Sequence, residues 1–348
     1  MDKKGIEKLP IIGITMGDPA GVGPEIIIKA LAKGQDRWRY IPVVLGDIGV
    51  LRQAAKVVGW RGRFRSIEDP QEARRLPGCI HILRPRGLTE GPFESGRQST
   101  EGGRAAALCI EQAVALALRG EIAAVVTCPI SKAMLNRAGY DFQGHTQMIA
   151  DLTGCDSYVM MLAGDRLMVS LVTIHVPLSQ VPKLITEGRV YKTICITHEA
   201  LMRDFSLSRA RIGVAALNPH GGEEGLFGKE EEKIILPAIQ RAKSKGVNVE
   251  GPFPADTLFW RASEGEFDAV VAMYHDQGLA PLKLAHFYDA VNVTLGLPIV
   301  RTSPDHGTAY DLAGTGRANH TSLVNALELA VRIANNRKGQ VDKQQSNG

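Results

Sequence analysis

Short apolar runs alternate with longer helix-period segments along almost all of this 348-residue chain. The runs are Ile11–Thr15, Ile41–Leu45, Cys79–Leu83, Ala123–Thr127, Val159–Leu162, Met168–Ile174, Ile212–Leu217, Asp268–Met273 and Ala290–Thr294. The helical patterns are Pro24–Ala32, Gly102–Arg119, Ile130–Ala138, Thr146–Leu152, Leu178–Met202, Glu230–Lys245 and Thr321–Asn336. In the last, Leu323, Ala326, Leu327, Ala330, Val331 and Ala334 fall on one face. Pro237 is expected to kink or break its segment, because proline carries no N–H. Strands that alternate with helices predict an α/β fold with a mostly parallel sheet covered on both faces. Such sheets carry their chemistry in the loops after the strands.

The length fits about two domains. Hydrophobic residues make up 44% and mean hydropathy is -0.05, enough for sizeable cores. No apolar run approaches the ~20 residues that span a bilayer. The opening MDKKGIEKLP has no apolar signal core, so a cytoplasmic protein is expected. Net charge is +4, its basic residues are scattered and aromatics are 5%, which argues against nucleic-acid binding. The five cysteines form no CxxC pair and read as reduced thiols. Cys128 lies near strand-end chemistry, but no activating base accompanies it. Lys338–Gly348 is polar and aperiodic and is expected to be a disordered tail.

Three of the apolar runs end alike: LMVSLVTIH at His175, RIGVAALNPH at His220 and AVVAMYH at His275. One such histidine is ordinarily structural. Three converge if their strands are parallel neighbours, and three imidazoles with an open position form a common catalytic zinc set. Asp256, in GPFPADTLF, reads as a helix cap or as a general base. Asp276 reads as a cap or as a carboxylate that orients His275. Lys283, Asn292 and Arg301 follow within 27 residues of His275, and a buried cation there would call for an anion. GHT at 144–146 starts a helix, where N–H groups suit phosphate or carboxylate. GDPAGVGPE at 17–25 matches no phosphate-loop spacing and reads either as a tight turn or as an anion-facing one.

The loop HGTAYDLAGTGRAN, residues 306–319, resembles the adenosine-binding loop of the isocitrate and isopropylmalate dehydrogenases. With TMGDPAGVGPE, GHT, IHVPL, LNPHGGEEG, PADTLF, MYHDQG and VNVTLGLPIVRTSPDHGTA, the chain resembles the 4-hydroxythreonine-4-phosphate dehydrogenase family from about Ile11 to Asn336. The resemblance implies a two-domain isocitrate/isopropylmalate dehydrogenase-like fold with an interdomain cleft. Residues 1–140 with 301–337 would form one domain and 141–300 the other. It implies a homodimer with the site at the subunit interface.

By that resemblance His175, His220 and His275 bind one divalent metal, zinc foremost, with magnesium or cobalt as alternatives. His145, Thr146, Lys283, Asn292 and Arg301 contact a small phosphorylated hydroxy- or amino-acid substrate. Asp256 and Lys283 are the catalytic candidates. His306, Gly307, Asp311 and Asn319 belong to the cofactor loop. An acid at Asp311 accepts a bond from a ribose 2′-hydroxyl and repels a 2′-phosphate, so NAD is expected over NADP. The family oxidises either 4-hydroxythreonine 4-phosphate or 4-phospho-D-threonate and 4-phospho-D-erythronate. These substrates differ at C2, and the neutral Gln147 in GHTQ favours the sugar acids over an ammonium. A member type acting on an aromatic cis-dihydrodiol would not need phosphate contacts. A metal-free phosphate acyltransferase, or a non-catalytic metal-binding protein, would need no adenosine loop.

Overall fold

The computed structural model describes residues 9–32, 38–89, 91 and 93–346, with side chains through residue 340. The described residues form twelve strands. They are β1 (Ile11–Thr15), β2 (Ile41–Leu45), β3 (Arg63–Ile67), β4 (Cys79–Leu83), β5 (Ala124–Thr127) and β6 (Val159–Ala163), followed by β7 (Met168–Leu171), β8 (Ile212–Ala215), β9 (Val249–Phe253), β10 (Ala269–Ala272), β11 (Val291–Leu295) and β12 (Arg301–Pro304). The chain divides into two compact units, Met1–Cys155 with Pro298–Asn335, and Asp156–Leu297 with Asn336–Gly348.

In the first unit the strand order is β3-β4-β2-β1-β5-β12, all parallel. β1 and β4 are buried at every residue, which explains their unbroken apolar runs. The helix Gly23–Ala32 follows β1 and buries Ile26, Ile27, Ile28 and Leu31. Each such side chain contributes roughly 1.5–3 kcal/mol. The helix Thr100–Leu118 starts where Ser99 Oγ accepts the Gly102 N–H at 3.0 Å, a cap worth about 1 kcal/mol.

In the second unit the order is β11-β6-β7-β10-β8-β9. β7, β10, β8 and β9 run parallel, whereas β11 and β7 each pair antiparallel with β6. Leu162, Val169, Leu171, Leu258, Phe259, Phe267 and Val270 share its core. The architecture is α/β with mostly parallel sheets. Among the described residues no helix is long and apolar enough to cross a membrane.

Several segments depart from the sequence expectation. Leu178–Met202 is not one helix. It is a 3-10 turn Leu178–Gln180, a short helix Val181–Leu184 and a helix Glu187–Arg203. Pro182 suits only a first turn, and Thr186 Oγ1 caps the restart through the Arg189 N–H at 3.3 Å. Pro237 acts as anticipated, with a π-helix Glu231–Ile235 before it and an α-helix Leu236–Ser244 that contains it in the first turn.

The expected disordered tail is instead a continuation of the last helix, which runs Thr321–Ser346. Lys and Gln favour helix, and extending a formed helix costs little per residue. The extension is also anchored. Arg337 Nε and Nη2 donate to the Asp204 carboxylate at 2.7 and 2.9 Å, and Asn336 Nδ2 donates to Asp204 O at 2.8 Å. The residues 347 and 348 lie outside the described ones.

Candidate active site

The strands that precede the three histidines are neighbours. The order β7-β10-β8 is parallel, so the loops after them leave the same edge. Pairing of β7 with β10 continues past the strand ends. Val172 N donates to Ala272 O at 2.9 Å, and Thr173 Oγ1 donates to Met273 O at 2.8 Å. That continuation brings His175 to His275, with ring centroids 5.5 Å apart at 43°. Two imidazoles bonded to one tetrahedral metal at about 2.0–2.1 Å place their centroids roughly 5 Å apart. The pair therefore fits two ligands of a metal.

His275 is the first residue of a helix, His275–Ala285, that the apolar pattern does not show, because Gly278 and Pro281 interrupt it. Gly278 is there for space. A Cβ on it would stand 2.7 Å from Val169 Cγ1 and 3.0 Å from Leu171 Cδ2. The helix thus lies close against β7, and His275 is fixed at its start. His275 Nδ1 is 2.6 Å from Asp276 Oδ1, which leaves Nε2 as the ligating nitrogen. Gln277, which the sequence reading did not single out, ties two strand ends together. Its Oε1 accepts the Met273 N–H at 2.7 Å, and its Nε2 donates to Ala216 O at 2.6 Å.

His220 does not join the pair. Among the described residues no group of three or more His, Cys, Asp or Glu is placed to hold a metal. The expected three-histidine set is here a pair, and local backbone is the reason. His220 begins five residues with positive φ, at 53°, 69°, 84°, 45° and 52° through Glu224. Its ring instead neighbours Phe227 at 6.2 Å. Non-glycine residues in this conformation carry strain of the kind that gathers at functional sites. Glu231, at the start of the π-helix, holds the loop's root, because its Oε1 accepts the N–H groups of Leu217 and Asn218 at 2.8 and 2.7 Å.

The other candidates of this unit are dispersed. Asp256 is exposed in the first turn of the helix Ala255–Ser263. It is not the cap, since Pro254 holds that position. Lys283, on the His275–Ala285 helix, places its Nζ 5.6 Å from the Phe287 ring centroid. Asn292 lies on β11 opposite Leu162, three places from β10 in the strand order.

In the first unit Arg301 is 2% exposed at the start of β12. Its Nε and Nη2 donate to Thr127 Oγ1 at 3.2 and 2.8 Å. Burial pushes the guanidinium down to about 9, still protonated at neutral pH. His145 starts the helix His145–Leu152 after Gly144, whose φ of 136° favours glycine. Burial first, then the charge of Arg301, hold the His145 ring well below its ordinary value, against a bond to the Cys128 backbone. Its Nε2 is buried with no partner among the described residues. The ring is therefore neutral, with an unsatisfied acceptor beside a buried cation. A buried polar atom without a partner calls for an explanation, and a strongly perturbed titratable group is a functional-site candidate. Thr146 follows, half-buried.

The 306–319 loop presents His306, Asp311 and Asn319 exposed, and a Cβ on Gly307 would meet nothing within 4 Å. This open, polar surface fits a nucleotide that arrives from solvent. Asn319 Oδ1 also accepts the Thr321 N–H at 2.8 Å, just ahead of the last helix. The GDPAGVGPE segment makes a tight turn. Its own Asp18 carboxylate is fully buried there and accepts the Ala20 N–H at 2.9 Å.

Comparison with known proteins decides the family. The family profile described as "Pyridoxal phosphate biosynthetic protein PdxA" matches residues 39–330. The chain belongs to this family. It is 50% identical to a 4-hydroxythreonine-4-phosphate dehydrogenase of Desulfosudis oleivorans over 323 residues, 92% of this chain and 95% of the relative. It is 47% identical to a D-threonate 4-phosphate dehydrogenase of Cupriavidus necator over 334 residues, 94% of this chain and 98% of the relative. A solved structure of a putative 4-hydroxythreonine-4-phosphate dehydrogenase from Salmonella typhimurium superposes with TM-score 0.86 at 44% identity, covering 94% of this chain and all of that one.

As a PdxA-family protein the chain is an oxidoreductase of the dehydrogenase type. Two weaker sequence signals are resolved by geometry. Cys128 is fully buried and burial pushes its thiol up, so it offers no thiolate. Gln147 is exposed, and its Oε1 accepts the Gln143 N–H at 2.7 Å, a bond that a glutamate would also make. Its neutrality therefore reports on helix capping as much as on substrate.

Proposed function

We propose that the chain oxidises the C3 hydroxyl of a 4-phosphorylated four-carbon acid with NAD, then releases carbon dioxide from the resulting β-keto acid. The observation that carries this reading is the His175–His275 pair at the shared edge of β7 and β10. His175 and His275 would hold the divalent cation, zinc foremost, and the strained loop would have to supply His220 as the third ligand. When bound, the cation supplies Lewis acidity to the C3 oxygen and the nicotinamide supplies a hydride acceptor.

The chain's own residues do the rest. Arg301 and Lys283 would bind the phosphate and carboxylate by charge-assisted hydrogen bonds, and Thr146, at a helix start, would add a further donor. His145, neutral, offers Nε2 as an acceptor to a substrate hydroxyl. Asn292 adds a polar contact. Asp256 takes the hydroxyl proton while the C3 hydrogen leaves as hydride. The loop of His306, Gly307, Asp311 and Asn319 receives the adenosine, and Asp311 selects NAD over NADP.

The preferred substrate is 4-phospho-D-threonate or 4-phospho-D-erythronate, which yields dihydroxyacetone phosphate. The second reading is 4-hydroxythreonine 4-phosphate, favoured by the name of the 50% identical relative. The protein would work as a cytoplasmic homodimer with the site at the subunit interface. NADH formation with each of the three acids, with and without a chelator, tests all of this. Turnover with the first two above the third supports the preferred substrate. No NADH from any acid, with zinc restored, overturns the dehydrogenase chemistry proposed here.

A further inference from the structure

The 306–319 loop is held from one helix. Gly314 and Gly316 lie in the left-handed region, with φ of 81° and 69°, where only glycine sits without strain. Their N–H groups turn toward the helix Gly23–Ala32. Glu25, 3% exposed on that helix, receives both, Oε1 from Gly314 N and Oε2 from Gly316 N at 2.9 Å. Lys29 stands one turn further on. Its Nζ donates to Gly316 O at 2.6 Å and to Ala318 O at 2.7 Å. The helix thus offers an acceptor and a donor four residues apart, and the loop offers the complementary groups. Gly316 is gripped at both its N–H and its carbonyl.

A third tie holds the loop's other half. Tyr310 Oη donates to the buried Asp18 at 2.6 Å. Asp311 and Asn319 lie beside these anchored residues, and both side chains remain exposed. The backbone at Gly314, Gly316 and Ala318 is held by the protein, while the Asp311 side chain stays exposed and Asn319 Oδ1 accepts the Thr321 N–H.

We propose that Glu25 and Lys29 are positioning residues that hold the 306–319 loop in its nucleotide-binding form. The proposal rests on the reading of that loop as the adenosine site. Both bonds to Glu25 and both from Lys29 are charge-assisted, so each residue constrains the loop more than a neutral pair would. A merely structural role would loosen the fold without separating cofactor affinity from turnover.

The test uses the full chain as wild type, Glu25→Gln, Lys29→Met and Lys29→Arg. Glutamine keeps one acceptor but sets an N–H against a backbone N–H. Methionine keeps the length of lysine and loses both donations. Amide exchange of residues 312–318 is followed, with NAD affinity measured by calorimetry. Both Glu25→Gln and Lys29→Met should exchange faster there and bind NAD about tenfold more weakly. Their kcat at saturating NAD should stay within about twofold of wild type, and Lys29→Arg should regain most of the affinity. Should Glu25→Gln not fold, Lys29→Met, at a half-buried position, decides alone. Unchanged exchange or unchanged NAD affinity in folded Lys29→Met, with wild type binding normally, overturns the proposal and leaves the loop reading intact. Wild-type protein that binds no NAD overturns both.

Discussion

His175 and His275 stand with ring centroids 5.5 Å apart, and Asp276 accepts from Nδ1 of His275 at 2.6 Å. The carboxylate fixes the tautomer that exposes Nε2 and holds the orientation of the ring. Asp276→Asn should therefore weaken zinc binding about 10–100-fold while the fold is retained. Competition with a chelating dye measures it. Undiminished affinity would make Asp276 a bystander.

The place of His275 depends equally on the helix behind it. Gly278→Ala drives a methyl to 2.7 Å from Val169 and 3.0 Å from Leu171, both of them buried side chains. The helix must lift or the strand side chains must leave their rotamers, at about 1–3 kcal/mol. Urea unfolding should show that loss. Zinc affinity should fall with it, because the His275 end of the helix moves. A stable variant with full affinity would mean that the contact relaxes freely.

The strands that were plainest in the sequence share one property, burial on both faces. β1, β4 and β6 are buried throughout and appear as apolar runs. β3 is largely exposed, β9 contains Pro252, and β12 is a buried polar RTSP, so none of them makes an apolar run. The histidines were legible because each ends such a run. Gln277 and Glu231 were not, because their partners are backbone groups that only the folded chain brings near. The five positive-φ residues from His220 to Glu224 were equally hidden, since only two of them are glycine.

Asp311 is exposed on the nucleotide loop. Its charge should repel a ribose 2′-phosphate and accept from a 2′-hydroxyl. Wild type should have the higher kcat/KM with NAD. Asp311→Asn should narrow the preference by about tenfold, chiefly through KM. Steady-state kinetics with both cofactors check this, and a wild-type preference for NADP would refute the assignment.

The end of the last helix is held by a buried carboxylate. Burial alone would raise Asp204, yet hydrogen bonds from Arg337 and Arg203 outweigh it and hold it below the usual value. A depressed folded value means that the stability exists above the unfolded carboxyl value and is lost as pH falls through the folded one. Arg337→Met leaves Arg203 as a partner and should cost about 1–3 kcal/mol at neutral pH. The Tm gap between variant and wild type should begin to shrink below about pH 4, the unfolded aspartate value, and close as pH falls through the lower folded value. A gap independent of pH would mean that only packing was lost.

His145 titrates with the opposite charge but the same sign of dependence. Its ring is neutral in the folded protein, because burial and Arg301 hold it well below 6.5. Between that folded value and 6.5 the unfolded chain binds a proton that the folded chain does not. Stability from this site is therefore complete above about 6.5 and falls as pH drops toward the folded value. His145→Gln keeps an acceptor and removes the titration. Wild type should lose more Tm than the variant between about pH 7 and about pH 5. Proton NMR of the imidazole should show no titration near 6.5 in the free protein. A ring that titrates at its ordinary value would mean that it is not buried beside Arg301, and would remove the argument for a neutral acceptor at the substrate.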